Sequence, residues 1–385
     1  MKIAIVTEYL APEGKPYFGG VDARTINLAK NLAKNNDVHI ITTFMDGTER
    51  LEDYEGVKIH RIGKKRKFTQ RGDFLQRLKF HSEVVSEILR LRPDIVESSG
   101  FVSYAGGYRG AKKINVPAVV TVHEVWQGEW VQNMGWVNGL VGHFFEKHYL
   151  KYPFDRYIAV SNFTKEKLIK KIGIAKEKIA VVYNGIDLNL YKTTRVKEKY
   201  ANPTILTVCR LVVYKRVEDL IRALNILKPD FPDIRLKIIG TGPRENYLRK
   251  LSKKLGIEDN IDFFGKINDT REMIKILKRS HVFALPSIAE GFGMVVVEAI
   301  AAGIPYVASD IPPIREVTMG GVGGLLFEPK NYKELADAIS KLLDDKKMRD
   351  KLSEAGKELV KRRYTWDVVS REYEKVYIEL LRYRG

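Results

Sequence analysis

At 385 residues, the chain is long enough for two or three domains, each with its own core. Its formal net charge of +18 favours anionic partners, but the basic residues are spread along the chain without a nucleic-acid-binding motif, so dedicated nucleic-acid binding is disfavoured. A single cysteine, Cys209, excludes an internal disulfide. No apolar run reaches membrane-spanning length, which predicts a cytoplasmic protein, either free or peripheral on the cytoplasmic face of the membrane.

The first half alternates strands and helices. Gly19-Gly20 stands directly before a helix predicted from near Val21, and it is either an anion site or a simple hinge in the loop. His123 follows a predicted strand, at the carboxyl end where open α/β sheets place ligands, although a lone histidine is more often structural. Strands are predicted at residues 2–7, 38–43, 95–97, 118–122, 156–161 and 179–182.

Two segments of this half each allow two interpretations. Residues 63–80 mix basic and large apolar side chains, which suits an interfacial segment on an anionic membrane or a solvated basic loop followed by a core-facing helix. Trp126, Trp130 and Trp136 crowd the next stretch. They predict either a core helix or an apolar groove for an acceptor or a membrane surface.

The second half repeats the alternation after a polar segment at residues 188–202, which we interpret as a linker. Strands are predicted at residues 204–208, 236–239, 261–264, 281–285 and 306–308, and helices at 217–227, 271–277, 294–303, 332–343, 348–362 and 366–383. Strands and helices at this spacing predict an α/β protein with two Rossmann-like, doubly wound domains. The default ligand site is a cleft between the two domains.

One stretch of the second half has the pattern of a ligand site. It places Glu290, a glycine-bounded loop, a helix start and Glu298 in direct succession. Gly291 and Gly293 permit close approach of the backbone, and the helix from Met294 directs N–H groups and its positive dipole end at a phosphate. Carboxylates repel phosphate but accept hydrogen bonds from hydroxyls, so a nucleotide diphosphate sugar has the right shape. An ordinary strand–turn–helix unit with solvated glutamates is the alternative.

A second group of residues supplies positive charge. Arg210 and Lys215 follow the strand at 204–208, at an edge that we expect to face the same crevice as Glu290. A guanidinium fork and a lysine point charge together offset the charge that develops on a departing diphosphate. Two ordinary surface cations in a lysine-rich chain are the alternative interpretation.

Together these motifs resemble those of the retaining glycosyltransferases of family 4, which have the GT-B fold. Two departures from the family pattern are Cys209, where glycine usually precedes the arginine, and Glu124, where aspartate is common after the histidine. The two glutamates eight positions apart are the most specific feature. The matching residues are Gly19-Gly20, His123, Asn184-Gly185-Ile186-Asp187, Arg210 with Lys215, Gly240-Thr241-Gly242-Pro243, Glu290-Gly291-Phe292-Gly293 and Glu298.

The resemblance implies a donor site in the second domain and an acceptor site in the first. Glu298 would bind the ribose hydroxyls, Glu290 a hydroxyl of the transferred sugar, and Arg210 with Lys215 the diphosphate. His123 would lie near the anomeric carbon, which makes His123, Arg210, Lys215 and Glu290 the predicted catalytic group. The remaining predicted donor-binding residues are Gly20 at the diphosphate, Gly240, Gly242, Lys266 and Ile267 near the base, and Gly291, Phe292, Gly293, Met294 and Val295 along the sugar and phosphates.

The implied reaction moves a sugar from a UDP-, GDP- or ADP-linked donor to a sugar, a lipid-linked acceptor or a phosphorylated acceptor. The family is metal-independent, in keeping with the lack of an Asp-x-Asp motif, and no cofactor is implied. We place the domains at residues 1–190 and 191–364, with residues 365–385 as a helix that returns to the first domain. A non-hydrolysing nucleotide-sugar epimerase and a basic peripheral lipid-binding protein without catalysis are the alternatives.

Overall fold

The computed structural model describes residues 1–15, 17–68, 74–128, 130 and 136–382, and the chain divides into two compact units. The first unit combines Met1–Gly185 with Trp366–Gly385, and the second consists of Ile186–Thr365. Within the described part of the chain, no helix is both long and apolar enough to cross a bilayer.

The first unit is built on an eight-stranded sheet in the order β3-β4-β2-β1-β5-β6-β7-β8, parallel throughout except for the β3–β4 pair. The predicted strands of this half are all present in this sheet. Its strands are β1 (Lys2–Val6), β2 (Asp37–Met45), β3 (Leu51–Tyr54), β4 (Val57–Arg66), β5 (Ile95–Ser99), β6 (Ala118–Val122), β7 (Arg156–Ala159) and β8 (Ile179–Val181). Its first helices are α1 (Gly20–Leu32), α2 (Phe74–Leu91), α3 (Tyr104–Lys113), α4 (Trp136–Leu150) and α5 (Asn162–Lys167).

The second unit holds a six-stranded, fully parallel sheet in the order β11-β10-β9-β12-β13-β14. Its strands are β9 (Thr204–Val208), β10 (Arg235–Ile239), β11 (Ile261–Gly265), β12 (Val282–Leu285), β13 (Tyr306–Ser309) and β14 (Gly324–Phe327). Its helices are α6 (Leu188–Thr193), α7 (Val217–Leu227), α8 (Glu245–Lys254), α9 (Thr270–Arg279), α10 (Met294–Ala301), α11 (Pro312–Val317), α12 (Tyr332–Asp344) and α13 (Lys346–Arg363).

The order of strands fixes where each sheet can bind a ligand. Strand order reverses between β1 and β5 in the first sheet and between β9 and β12 in the second. In open α/β sheets, ligands bind beyond the carboxyl ends of the strands at such a switch point. The fold therefore indicates one crevice at Thr7 and Ser99, and another at Cys209 and Pro286.

The segment that we interpreted as a linker is partly helical. Residues 188–193 form α6, and the Asp187 carboxylate caps this helix by accepting a hydrogen bond from the Leu190 amide at 3.0 Å. Tyr191 is buried in this helix, so the segment packs on the second unit. The predicted domain boundary at residue 190 consequently falls inside a helix, and the second unit begins at Ile186.

Residues 63–80 combine features of both interpretations. Lys64 and Lys65 lie in β4, which is part of an edge hairpin that sequence periodicity did not predict. Phe80 of α2 is fully buried, as expected of a core-facing helix, whereas Leu75 and Leu78 of the same helix are exposed. Positions 69–73 lie outside the described residues.

The last helix, α14 (Trp366–Arg382), is held on the first unit by a buried polar network. Glu97 of β5 is fully buried and accepts hydrogen bonds from the Thr121 hydroxyl at 2.7 Å and from the Tyr377 hydroxyl. Arg24 of α1 donates to the Tyr373 hydroxyl, which also lies 3.0 Å from the Thr121 hydroxyl. Because buried polar groups are costly without partners, the network fixes the position of α14 on the sheet.

Replacing Tyr377 with phenylalanine should destabilise the fold, because it removes a donor from a buried carboxylate while preserving the aromatic ring. We expect a loss of about 1–3 kcal/mol in urea unfolding followed by circular dichroism. Tyr247→Phe, at a partly exposed tyrosine of the second unit, is the matched control. Equal stabilities for the two variants would contradict a stabilising role for the network.

Candidate functional site

Three loops meet at the carboxyl edge of β9, β10 and β11. The Leu211 amide donates to the Thr241 carbonyl at 3.0 Å, and the Gly240 amide donates to the Gly265 carbonyl at 2.8 Å. The loop that carries Arg210 is thus paired with the loop after β10, which in turn is paired with the end of β11. The predicted base-binding positions lie on these loops: Gly240, Gly242, Lys266 and Ile267.

Gly240 is required by the close approach of these loops. Its φ is +133°, and a Cβ atom at this position would lie 1.9 Å from the carbonyl oxygen of Cys209. Any other residue would push apart the strand ends that position Arg210. The Arg210 side chain itself is exposed at this edge.

Lys215 and Glu290 form an ion pair at the switch point of the second sheet. Lys215 Nζ lies 2.6 Å from Glu290 Oε1, and the two side chains are only 13% and 10% exposed. Lys215 ends a short 3₁₀ turn, and the carbonyl of Tyr214 in that turn accepts a hydrogen bond from the Ile288 amide at 2.9 Å. This backbone bond joins the loop after β9 to the loop after β12. The structure therefore brings a predicted diphosphate-binding cation and a predicted sugar-binding carboxylate together.

The glycine loop leads directly into α10. Gly293 caps the helix in the left-handed region at φ +92°, where a Cβ atom would lie 2.5 Å from Ile314 Cδ1. Phe292 is buried, and its ring packs edge-to-face on Tyr364 with 5.9 Å between centroids. The helix begins at Met294, so the positive end of its dipole lies at this loop. Gly291 and Val295 flank these positions.

Glu298 lies one turn into α10, and its environment differs from that of Glu290. Burial raises the pKa of Glu298 to about 7. The pKa of the buried Tyr191 is also raised, first by its own burial and then by the charge of Glu298. Glu298 can therefore change its charge near neutral pH.

The first unit carries the other predicted residues. Nε2 of His123, directly after β6, lies 3.3 Å from the Ser99 hydroxyl. Burial, aided by the charge of Arg24, lowers the pKa of His123 to about 3, so the ring is neutral at physiological pH. Gly20 begins α1, and the Asp22 carboxylate closes the preceding loop by accepting a hydrogen bond from the Gly19 amide at 2.8 Å.

A cavity of about 850 Å³ opens at the switch point of the first sheet. Its walls include Gly20 and Ser99, together with the ion pair of Glu8 and Arg77, whose Oε1 and Nε atoms are 3.0 Å apart. Sequence reasoning missed this pair, although the position of Glu8, two residues after the end of β1, was an available signal. Aromatic side chains form much of the remaining wall: Tyr9, Phe18, Phe101, Trp130, Phe145 and Tyr149.

Comparison with known proteins places both halves of the chain among glycosyltransferase sequences. A family model described as Glycosyl transferases group 1 matches residues 192–359, and one described as Glycosyltransferase Family 4 matches residues 18–190. An uncharacterized glycosyltransferase of Methanocaldococcus jannaschii is 29% identical, over 98% of both chains. The glycogen synthase of Mycobacterium tuberculosis is also 29% identical, over 74% of this chain and 69% of its own.

Solved structures share the fold over the full length of the chain. The sucrose-phosphate synthase from Thermosynechococcus elongatus superimposes with a TM-score of 0.82 at 21% identity, covering 99% of each chain. Anabaena HepE in complex with UDP and glucose superimposes with a TM-score of 0.76 at 20% identity, covering 99% of this chain and 100% of its own.

Gly293→Ala should destabilise the second unit, because a side chain at this positive φ is strained and would also contact Ile314. Gly256→Ala is the control, since its φ is +64° with no atom near the added carbon. Each substitution should cost about 1–3 kcal/mol from backbone strain in urea unfolding, with a larger total at Gly293.

Ile314→Val removes the contacting Cδ1 atom and should return part of the stability lost in Gly293→Ala, relative to Ile314→Val alone. If Gly293→Ala and Gly256→Ala lose the same stability, and Ile314→Val returns none of it, packing against α11 does not constrain the loop.

Proposed function

The chain belongs to the group 1 glycosyltransferases of family 4, and from this premise we propose that its second unit binds a nucleotide diphosphate sugar. The sugar passes to an acceptor hydroxyl with its anomeric configuration retained, and neither a metal ion nor a cofactor takes part. The main support for this proposal is that Lys215, Glu290 and the start of α10 lie at one switch point of a GT-B fold.

The positive charge needed by the leaving diphosphate comes from the protein itself. Lys215 is held in place by Glu290, Arg210 is exposed at the adjacent strand end, and α10 presents the positive end of its dipole. Fixed cations of this kind stabilise charge that develops as the anomeric C–O bond breaks. They fill the role that a divalent metal has in other phosphate-transfer sites.

The two glutamates bind the hydroxyl groups on either side of the diphosphate. A carboxylate accepts hydrogen bonds and donates none, which suits sugar and ribose hydroxyls. Glu290 lies beside Lys215 at the sugar end, and Glu298 lies farther along α10 at the ribose end. Two structures of Anabaena HepE, one with UDP and one with UDP-glucose, make a UDP-linked sugar the first donor to test, before GDP- and ADP-linked sugars.

The transfer step forms one C–O bond and breaks another, and one proton moves between the two oxygen atoms. The acceptor oxygen attacks the anomeric carbon on the face from which the diphosphate departs, and its proton passes to the departing phosphate oxygen. Glu290 acts as a binder and forms no covalent intermediate. The roles of all the site residues stay predictions, including those of His123 beside the sugar and of Gly20 at the diphosphate.

Arg210→Ala should weaken donor binding, because it removes a charge-assisted contact to the diphosphate. Thermal-shift titrations with UDP-, GDP- and ADP-linked sugars identify the donor base, since a ligand that binds the folded state raises its stability. The variant should lose about 1.5–3 kcal/mol of binding free energy. Arg249→Ala, at a surface arginine paired with Glu245, is the control and should bind like the wild type.

Product analysis then tests the reaction itself. With the donor identified, NMR of the transfer product should show the donor's anomeric configuration, and turnover should be unchanged in EDTA. An inverted product would contradict retention, and loss of turnover in EDTA that is restored by a divalent metal would contradict metal independence. Conversion of the donor sugar without any acceptor would point to an epimerase.

Donor affinity should rise with pH through neutrality, because the raised pKa of Glu298 leaves part of this carboxyl protonated below about pH 7. Only the ionised carboxylate accepts two ribose hydrogen bonds, so Kd for the nucleotide sugar should fall about tenfold between pH 6 and pH 8. A nucleotide sugar is the right probe, since its diphosphate does not titrate in this range.

Glu298→Gln should bind the donor weakly, with a Kd that no longer changes over this pH range. A wild-type Kd that is constant between pH 6 and pH 8 would contradict the assignment of Glu298 to the ribose.

A further inference from the structure

The outward face of α4 is apolar and open to solvent. Trp136, Leu140 and Phe144 follow one another at intervals of four residues, so they form one row along the helix, and they are 76%, 59% and 65% exposed. We call these three residues the outer row. On the opposite face, Tyr149 is buried in the core. A helix that is apolar on both faces suits a protein core or a membrane, and the outer row lies in no core.

The outer row continues into the cavity of the first unit. Val141 follows Leu140 on α4, is half exposed, and also lines the cavity. Leu78 of α2 has the same two properties, and Leu75, one turn earlier, is more exposed still. Leu78 of α2 and Val141 of α4 therefore join the exposed apolar surface to the wall of the cavity.

Basic side chains flank this apolar surface. Lys147 lies one turn beyond Phe144 on α4, Lys151 follows one turn later, and Lys79 lies one turn beyond Leu75 on α2. All three lysines are exposed. Apolar groups bordered by lysines match the headgroup region of an anionic membrane, where each nearby cation adds to binding.

Part of the cavity wall is polar. The ion pair of Glu8 and Arg77 lines it, as do His81 and Ser99. The Ser99 hydroxyl is 3.3 Å from His123 Nε2, the group predicted to lie at the transferred sugar. A molecule that fills this cavity therefore needs a hydroxyl-bearing head and an apolar tail.

We infer that the acceptor is an amphiphile carried by an anionic membrane. Its polar head enters the cavity between β1 and β5, and its apolar chain leaves between α2 and α4, where the outer row enters the headgroup region. The inference rests on the proposed transfer reaction and specifies its acceptor. A second copy of the chain is a poorer occupant, because a net charge of +18 and the flanking lysines oppose self-association.

Vesicle binding tests the surface. The full chain should sediment with phosphatidylcholine vesicles that contain phosphatidylglycerol, and less with phosphatidylcholine alone or in high salt. Trp136→Ser/Leu140→Ser/Phe144→Ser should weaken this binding at least about tenfold. The control Leu51→Ser/Leu89→Ser/Ile378→Ser removes three exposed apolar side chains elsewhere in the first unit and should bind like the wild type. If the two triple variants bind vesicles equally, the outer row is not the membrane-binding surface.

Chain-length dependence tests the cavity. Methyl, octyl and dodecyl glucoside, used below their micelle concentrations, should shift tryptophan emission to shorter wavelength, with affinity that increases with chain length. Leu78→Asp/Val141→Asp should abolish this increase, while its melting temperature confirms folding. Affinity that is independent of chain length in the wild type would overturn an amphiphilic acceptor.

The outcomes separate this inference from the proposed function. In one outcome, a nucleotide sugar raises the melting temperature while the protein neither binds vesicles nor responds to chain length. That result would support the proposed donor site and contradict the membrane-borne acceptor. Vesicle binding without any nucleotide-sugar shift would contradict the donor proposal instead. The inference would also be overturned if the wild type formed dimers and did not bind vesicles, while the outer-row variant was monomeric. The outer row would then be a contact surface for a second copy of the chain.

Discussion

The ion pair between Lys215 and Glu290 is the constraint on which the candidate donor site depends. These residues are 75 positions apart in the sequence, and they meet because β9 and β12 are neighbours in a parallel sheet. The backbone bond between Ile288 and Tyr214 fixes the distance between the two loops. A part-buried ion pair contributes little net stability, so its main effect is to hold a cation and a carboxylate in defined positions before a ligand arrives.

The two glutamates of the candidate site have identical side chains in different environments. Glu290 has a cationic partner at 2.6 Å, whereas burial alone raises the pKa of Glu298 to about 7. A carboxyl group whose charged form is disfavoured in this way makes Glu298 a candidate ligand-binding residue.

The first unit follows a different principle. Its polar interior, centred on Glu97 and Arg24, fastens α14 to the sheet and so defines one face of the unit. At the switch point, aromatic and apolar side chains form most of the wall of a cavity of about 850 Å³, together with polar groups such as the ion pair of Glu8 and Arg77. The hydrogen-bonded network around α14 and the largely apolar cavity are thus separate features of the same unit.

The sequence by itself determined the α/β class, the order of strands and helices, and the motif around Glu290 and Glu298. These features are local: short apolar runs between turn residues mark the strands, and glycine with two carboxylates marks the loop. Sequence periodicity missed the edge hairpin of β3 and β4 and the helix at residues 188–193, because polar side chains interrupt their patterns. The sequence also predicted that Lys215 and Glu290 share one crevice, and the structure shows that they form an ion pair there. Only the tertiary structure decided that Arg77 meets Glu8 and that the outer row of α4 faces solvent. Such facts depend on strand order and on the packing of one element against another, and no periodicity within a single segment encodes them.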